Sequence, residues 1–153
     1  MRVEPVVKAD AYGHGAVPVA RALEAAGADG LSVATLDEAF ELRGAGVSLP
    51  LLVLYPVPPE GVEAAARQRI AVALGSGLLA ARTLVAAARA VADGSPPLEV
   101  HLEVETGLGR GGVLPAQVAD ALGGVRGADG VVLGGVWTHL AAADDAANAR
   151  GQD

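Results

Sequence analysis

The stretch Ile70-Ala-Val-Ala-Leu-Gly-Ser-Gly-Leu-Leu-Ala-Ala-Arg-Thr-Leu-Val-Ala-Ala-Ala-Arg-Ala-Val-Ala92 states the building unit of this chain. Five apolar residues, Ile70–Leu74, read as a buried strand. The alanine-rich Leu78–Ala92 reads as the helix that follows it. The same alternation extends in both directions. Upstream lie strand Val3–Lys8 with helix Ala16–Gly27, strand Leu31–Ala34 with helix Leu36–Ala45, and strand Leu51–Tyr55 with helix Pro59–Gln68. Downstream lie strand Leu98–Val104 with helix Pro115–Val125, then strand Val131–Thr138 and a last helix begun at Ala141–Arg150. Proline is tolerated in a first helical turn, as at Pro18, and Gly27 suits a helix end. Asp37 and Glu38 suit the positive start of their helix.

Short apolar strands alternating with amphipathic helices imply a parallel sheet with crossover helices. The fold class is α/β. Six units in 153 residues average about 25 residues each, the spacing of a (β/α)8 barrel of roughly 250 residues. A doubly wound open sheet also fits the pattern, which cannot settle closure. Six strands of eight would leave two unpaired edges and an uncovered apolar interior. The sequence therefore reads as one partial barrel domain over residues 1–153, a fragment of a longer parent that stops in mid-helix.

Composition narrows the function. Hydrophobic residues make up 52% and charged residues 19%, so the chain can bury a core. Aromatics are only 3%, which leaves Ala, Val and Leu to build it. There is no cysteine, which excludes a disulfide scaffold, a thiol nucleophile and zinc sites with thiolate ligands; no metal site is expected. A net charge of -7 argues against a nucleic-acid or acidic-membrane partner. No signal peptide and no apolar run of about 18 residues is visible, so a cytoplasmic location is expected. Of the 11 basic residues all but one are arginine; Lys8 is the only lysine.

Lys8 lies in Val6-Val-Lys-Ala-Asp-Ala-Tyr-Gly-His-Gly15, at the expected C-terminal end of the first strand. Barrel active sites are built at that end. A lysine alone at a strand end is ordinarily solvated, but one that follows two valines can have its neutral, nucleophilic amine favoured. Tyr12 begins a loop in which Gly13 and Gly15 allow close backbone approach, and the next helix N-terminus could help hold an anion. His14 reads as a structural loop histidine.

Gly107-Leu-Gly-Arg-Gly-Gly112 matches the GxGxxG pattern of dinucleotide sites. That motif should open a helix directly in the first βαβ unit. Here it follows the fifth expected strand, with the helix starting near Pro115. It reads better as a flexible loop that presents the Arg110 guanidinium to a carboxylate. His139 sits at the end of the sixth strand. His101, in mid-strand, reads as structural, Trp137 as a packing residue, and Asp144 and Asp145 as first-turn helix charges.

The Lys8 segment resembles the pyridoxal-phosphate attachment motif of the bacterial alanine racemases. The resemblance continues through Val33-Ala-Thr-Leu-Asp-Glu-Ala-Phe40, Val100-His-Leu-Glu-Val-Glu-Thr-Gly-Leu-Gly-Arg110 and Gly135-Val-Trp-Thr-His-Leu-Ala141. It implies a TIM-type barrel missing its last strands and C-terminal β domain. It also implies a PLP-dependent enzyme that interconverts L- and D-alanine, supplying D-alanine for peptidoglycan, as a homodimer. By resemblance Lys8 is the Schiff-base lysine and the base on one substrate face, and Tyr12 binds the cofactor phosphate. Arg110 contacts the cofactor phenolic oxygen and the substrate carboxylate, and His139 supports an arginine at the pyridine nitrogen. The family's second acid–base group is a tyrosine from the partner's C-terminal domain, so the fragment alone is expected to be inactive.

Glu103 departs from the family, many of whose members carry a carbamylated lysine there that orients the arginine seven residues on. A glutamate could supply the same negative charge unmodified. Glu105 replaces a common Asp, and Leu108 a frequent Met of similar volume. The competing readings are a non-catalytic pyridoxal-phosphate-binding barrel of the PLP-homeostasis type and a plain phosphate-binding α/β domain in which Lys8 stays unmodified.

Overall fold

The computed structural model describes residues 2–143. Five parallel strands, β1 (Leu31–Val33), β2 (Leu51–Val53), β3 (Ile70–Leu74), β4 (Leu98–Val104) and β5 (Val131–Thr138), lie in the order β1-β2-β3-β4-β5. Each strand pairs with the one before it in sequence. A doubly wound sheet must reverse its strand order at a switch point; this one never does. The arrangement is a sector of a singly wound (β/α) barrel, as expected, and β5 is its outer edge among the described residues.

The helices are α1 (Lys8–Gly13), α2 (Ala16–Ala25), α3 (Leu36–Gly44), α4 (Val62–Arg67), α5 (Gly77–Ala92) and α6 (Val118–Gly127). Short 3-10 turns at Pro59–Gly61 and Pro115–Gln117 lead into α4 and α6, so both helices start later than their prolines suggested. The core is aliphatic. Leu31, Leu51, Ile70, Leu98 and Leu102 are the largest fully buried side chains of the strands, and Ala20, Ala39, Ala65 and Ala87 let the helices sit close on them. Every residue of β1, β2 and β3 is buried, which is why those strands read as unbroken apolar runs. Gly130 passes against the Ala87 carbonyl of α5, where a Cβ would collide.

The first expected strand needs correction. Val3–Lys8 follows β1 but makes only one bridge, Val6 to Ser32. Pro5 has no N–H to give, although its carbonyl accepts from Ser32 N at 2.9 Å, and Val7 N donates to the Ser32 carbonyl at 2.8 Å. The ladder ends there because Lys8 turns the chain into α1. The expected helix Ala141–Arg150, with Asp144 and Asp145, lies almost wholly outside the described residues. No helix among the described residues is long and apolar enough to cross a membrane.

Candidate active site

In parallel α/β folds, functional groups gather where strands end and the chain turns outward. Lys8 reaches that edge through an unusual backbone. Ala9, Asp10, Ala11 and Tyr12 all have left-handed conformations, with φ between 51 and 55°. None is glycine, and each such residue costs about 1–2 kcal/mol. The turn persists because its surroundings determine it. Glu38 of α3 accepts from Ala9 N at 2.8 Å through Oε1, while its Oε2 accepts from Ala34 N at 2.7 Å and Thr35 N at 3.2 Å. Thr35 Oγ1 in return accepts from Glu38 N, completing a capping box. Asp10 Oδ1 accepts from Ala16 N at 2.6 Å, and Gly15 N donates to the Asp10 carbonyl.

The Asp10 carboxylate thus takes the first amide of α2, that of Ala16. Tyr12 is 61% exposed. His14 is structural, its Nδ1 donating to the Ala11 carbonyl at 2.9 Å.

Arg110 lies beyond β4 on a loop that is stitched down rather than flexible. Glu105 Oε1 accepts from Gly107 N at 2.6 Å and Gly109 N at 2.9 Å, and its Oε2 accepts from Gly109 N and Arg110 N. Those amides, Gly109 foremost, hold the Glu105 carboxyl below the usual carboxylate range, against a smaller opposing effect of desolvation. The loop closes where Val113 N donates to the Glu103 carbonyl and Glu105 N to the Val113 carbonyl. Ser76 N donates to the Gly111 carbonyl, and Gly75 leaves that carbonyl room that a Cβ would fill. The helix α6 begins only at Val118, after the turn at Pro115, in keeping with rejection of a dinucleotide fingerprint.

The guanidinium is held on three sides. Arg110 Nη2 donates to Glu103 Oε1 at 2.7 Å, and Glu103 is only 5% exposed. The Arg110 Cζ lies 5.4 Å from the ring centre of Tyr55 and 5.6 Å from that of Trp137, within cation–π range. Lys8 Nζ lies 5.8 Å from the same Tyr55 ring. Tyr55 therefore joins the two candidate cations at one end of the sheet. It gets there because the β2 line continues past its last ladder residue, with Leu54 N donating to Val33 and Tyr55 N to Ala34. His139 follows β5 at the same end, exposed, with its carbonyl 3.4 Å from Thr106 Oγ1. Among the described residues its side chain makes no hydrogen bond to Lys8 or Arg110. His101 pairs with Glu99 at 3.0 Å, a structural contact as expected.

The sequence alone marks Trp137 as a packing residue and gives Tyr55 no role in the site. No local signal could place them beside Arg110. Glu38 was more accessible, since Thr35-x-x-Glu38 is a capping-box spacing. As a set, the residues suit a flat ligand that offers a group reactive toward an amine at one end and an oxyanion at the other. The sole lysine and a fixed guanidinium flank one aromatic ring, and Arg110 Nε and Trp137 Nε1 are buried donors without a partner. Pyridoxal phosphate, with an aldehyde for an amine and a phenolic oxygen for a donor, fits that chemistry.

The alanine racemase N-terminal domain family matches residues 1–152 of this chain. An alanine racemase of Symbiobacterium thermophilum is 44% identical over 147 residues, covering 96% of this chain and 38% of that protein. Alanine racemase of Clostridium difficile 630 superposes with a TM-score of 0.88 at 31% identity, over 99% of this chain and 40% of that one. The enzyme of D-cycloserine-producing Streptomyces lavendulae gives 0.86 at 37% identity, over 99% and 40%. The chain thus spans about 38% of the length of the curated relatives it matches. With the family matching residues 1–152 and the strand order that of a (β/α) barrel sector, the chain belongs to the alanine racemase N-terminal domain family.

Proposed function

We propose that this chain provides the cofactor-binding half of a PLP-dependent racemase that interconverts L- and D-alanine. The reading rests above all on Tyr55 spanning Lys8 and Arg110, which gathers an amine and a carboxylate-binding cation at one strand end. When bound, pyridoxal phosphate supplies the electron sink for a carbanion at the substrate α-carbon.

The chain's own residues would divide the remaining work. Lys8 holds the cofactor through its Nζ and exchanges the α-proton on one face of the substrate. Arg110 binds the phenolic oxygen of the cofactor and the carboxylate of alanine. Glu103, by engaging Nη2, fixes the guanidinium plane and balances its charge, the role a carbamylated lysine has in many relatives. Tyr12, an exposed residue, binds the phosphate. His139 supports an arginine supplied from outside these residues. The acid–base group for the opposite face, by resemblance a tyrosine of a partner subunit, also lies outside them. These 153 residues alone would bind cofactor without racemising alanine.

The test is an absorption spectrum of the purified chain with pyridoxal phosphate, followed by borohydride reduction and peptide mapping. A visible band with the label on Lys8 is expected. Because Lys8 is the only lysine, the sole competing amine is the N-terminus, which mapping separates. Label confined to the N-terminus, or no band, would overturn the cofactor assignment for this chain.

A further inference from the structure

Among the described residues, three buried side-chain polar atoms lack a hydrogen-bond partner: Ser95 Oγ, Arg110 Nε and Trp137 Nε1. Two of the three belong to side chains in contact with each other. Trp137 of β5 stands in register with Glu103 of β4, so their side chains share a sheet face. The Arg110 guanidinium donates to that carboxylate and lies 5.6 Å from the indole ring centre, with the Tyr55 ring at 5.4 Å. An indole N–H can only donate, and a guanidinium can only donate, so neither orphan can satisfy the other. Buried donors are almost always paired in native proteins, and adjacent exceptions call for an acceptor from outside.

We propose that Arg110 Nε–H and Trp137 Nε1–H form a two-donor seat for a singly charged oxygen ligand, a carboxylate or a phenolate. Trp137 is thereby a ligand-binding residue and not only a packing one. The charge balance selects the ligand. Glu103 already neutralises much of Arg110, and Glu105 holds the same loop, so a dianionic phosphate would meet two carboxylates with one cation. A planar carboxylate can give one oxygen to each donor between the aromatic faces. This deepens the racemase reading by adding a second donor beside Arg110, and it rests on that reading only for the identity of the natural ligand.

Trp137 is the chain's one tryptophan, so a nitrogen-15 spectrum of the full chain carries a single indole N–H signal. Acetate, titrated into the chain without cofactor, should shift that signal downfield in step with the Arg110 Nε–H signal; inorganic phosphate should move it much less. Trp137→Phe keeps a ring beside the guanidinium and removes the N–H. It should weaken acetate binding, read at Arg110, about five- to tenfold, the value of one ordinary hydrogen bond. An indole signal that stays still while Arg110 responds would overturn the seat, as would unchanged acetate affinity in Trp137→Phe. The titration of the unaltered chain decides the matter even if the variant does not fold. A visible band at Lys8 with a silent indole would sink the seat and keep the cofactor reading. An indole response without a band would do the reverse.

Discussion

Glu103 and Arg110 form a 2.7 Å ion pair across the closing end of β4, with the carboxylate almost fully buried and the guanidinium about a quarter exposed. The seven-residue separation spans the whole Glu105–Arg110 loop. The pair thus fixes the loop's functional end to the strand from which it departs.

Replacing Glu103 with Gln keeps the shape and removes the charge. Breaking a buried pair from one side costs about 3–5 kcal/mol; the partial exposure of Arg110 brings the expected loss to about 1–3 kcal/mol in urea unfolding. In a complete enzyme KM for alanine should rise about tenfold, with a smaller change in kcat. Unchanged kinetics would refute the positioning role. Glu103→Lys offers a sharper contrast: it should be worse than Glu103→Gln in CO2-free buffer and recover with bicarbonate, as carbamylation restores the negative charge.

Glu38 has a less visible role. One carboxylate accepts from Ala9 N, Ala34 N and Thr35 N, joining the left-handed turn to the start of α3. Glu38→Ala should cost about 1–3 kcal/mol in denaturant unfolding, because it leaves backbone donors without a strong acceptor. It should also slow labelling of Lys8 by pyridoxal phosphate, because Ala9 is the next residue. A variant equally stable and labelled at the wild-type rate would show that the turn does not depend on this tether.

The buried strands were readable because burial on both faces imposes continuous apolar sequence. β3, β4 and β5 have the bounds their sequence implied, Ile70–Leu74, Leu98–Val104 and Val131–Thr138. The segment at Val3–Lys8 looked equally strand-like, yet its pairing fails where Pro5 cannot donate and Lys8 leaves the sheet. Lys8 and Arg110 were legible as a lone lysine and a glycine-flanked arginine. The Tyr55 and Trp137 contacts were not, since each depends on residues 27 to 55 positions apart meeting through the sheet. Nor was the left-handed turn: in Ala9-Asp-Ala-Tyr12 only the Asp tolerates that region, and the determinants are Glu38 and the Asp10 carboxylate.

The strain in that turn is measurable. Ala9 is exposed and has φ 52°. Glycine carries no Cβ penalty there, so Ala9→Gly should stabilise the chain by about 1 kcal/mol, or a Tm rise of about 2–4 °C for a domain of this size. Ala9→Val should do the opposite, because a β-branched residue fits that region worst. A glycine variant that melts below the parent would mean that the left-handed turn is not populated.

The Glu105 staple gives the arginine loop an acid limit. Its folded pKa is lowered, mainly by the Gly109 and Gly107 amides, whereas the unfolded group titrates near the ordinary value of about 4.3. A carboxyl with a depressed folded pKa stabilises the fold above its unfolded pKa, and that contribution disappears as pH falls through the folded value. The loop should therefore loosen only below about pH 4, with the Gly107 and Gly109 amide signals moving together and exchanging faster with solvent. Glu105→Gln removes the titration: its amide oxygen accepts more weakly, so the loop should be looser at neutral pH and insensitive to acid. Loosening of Glu105→Gln over the same acidic range as the parent would assign the transition to another group.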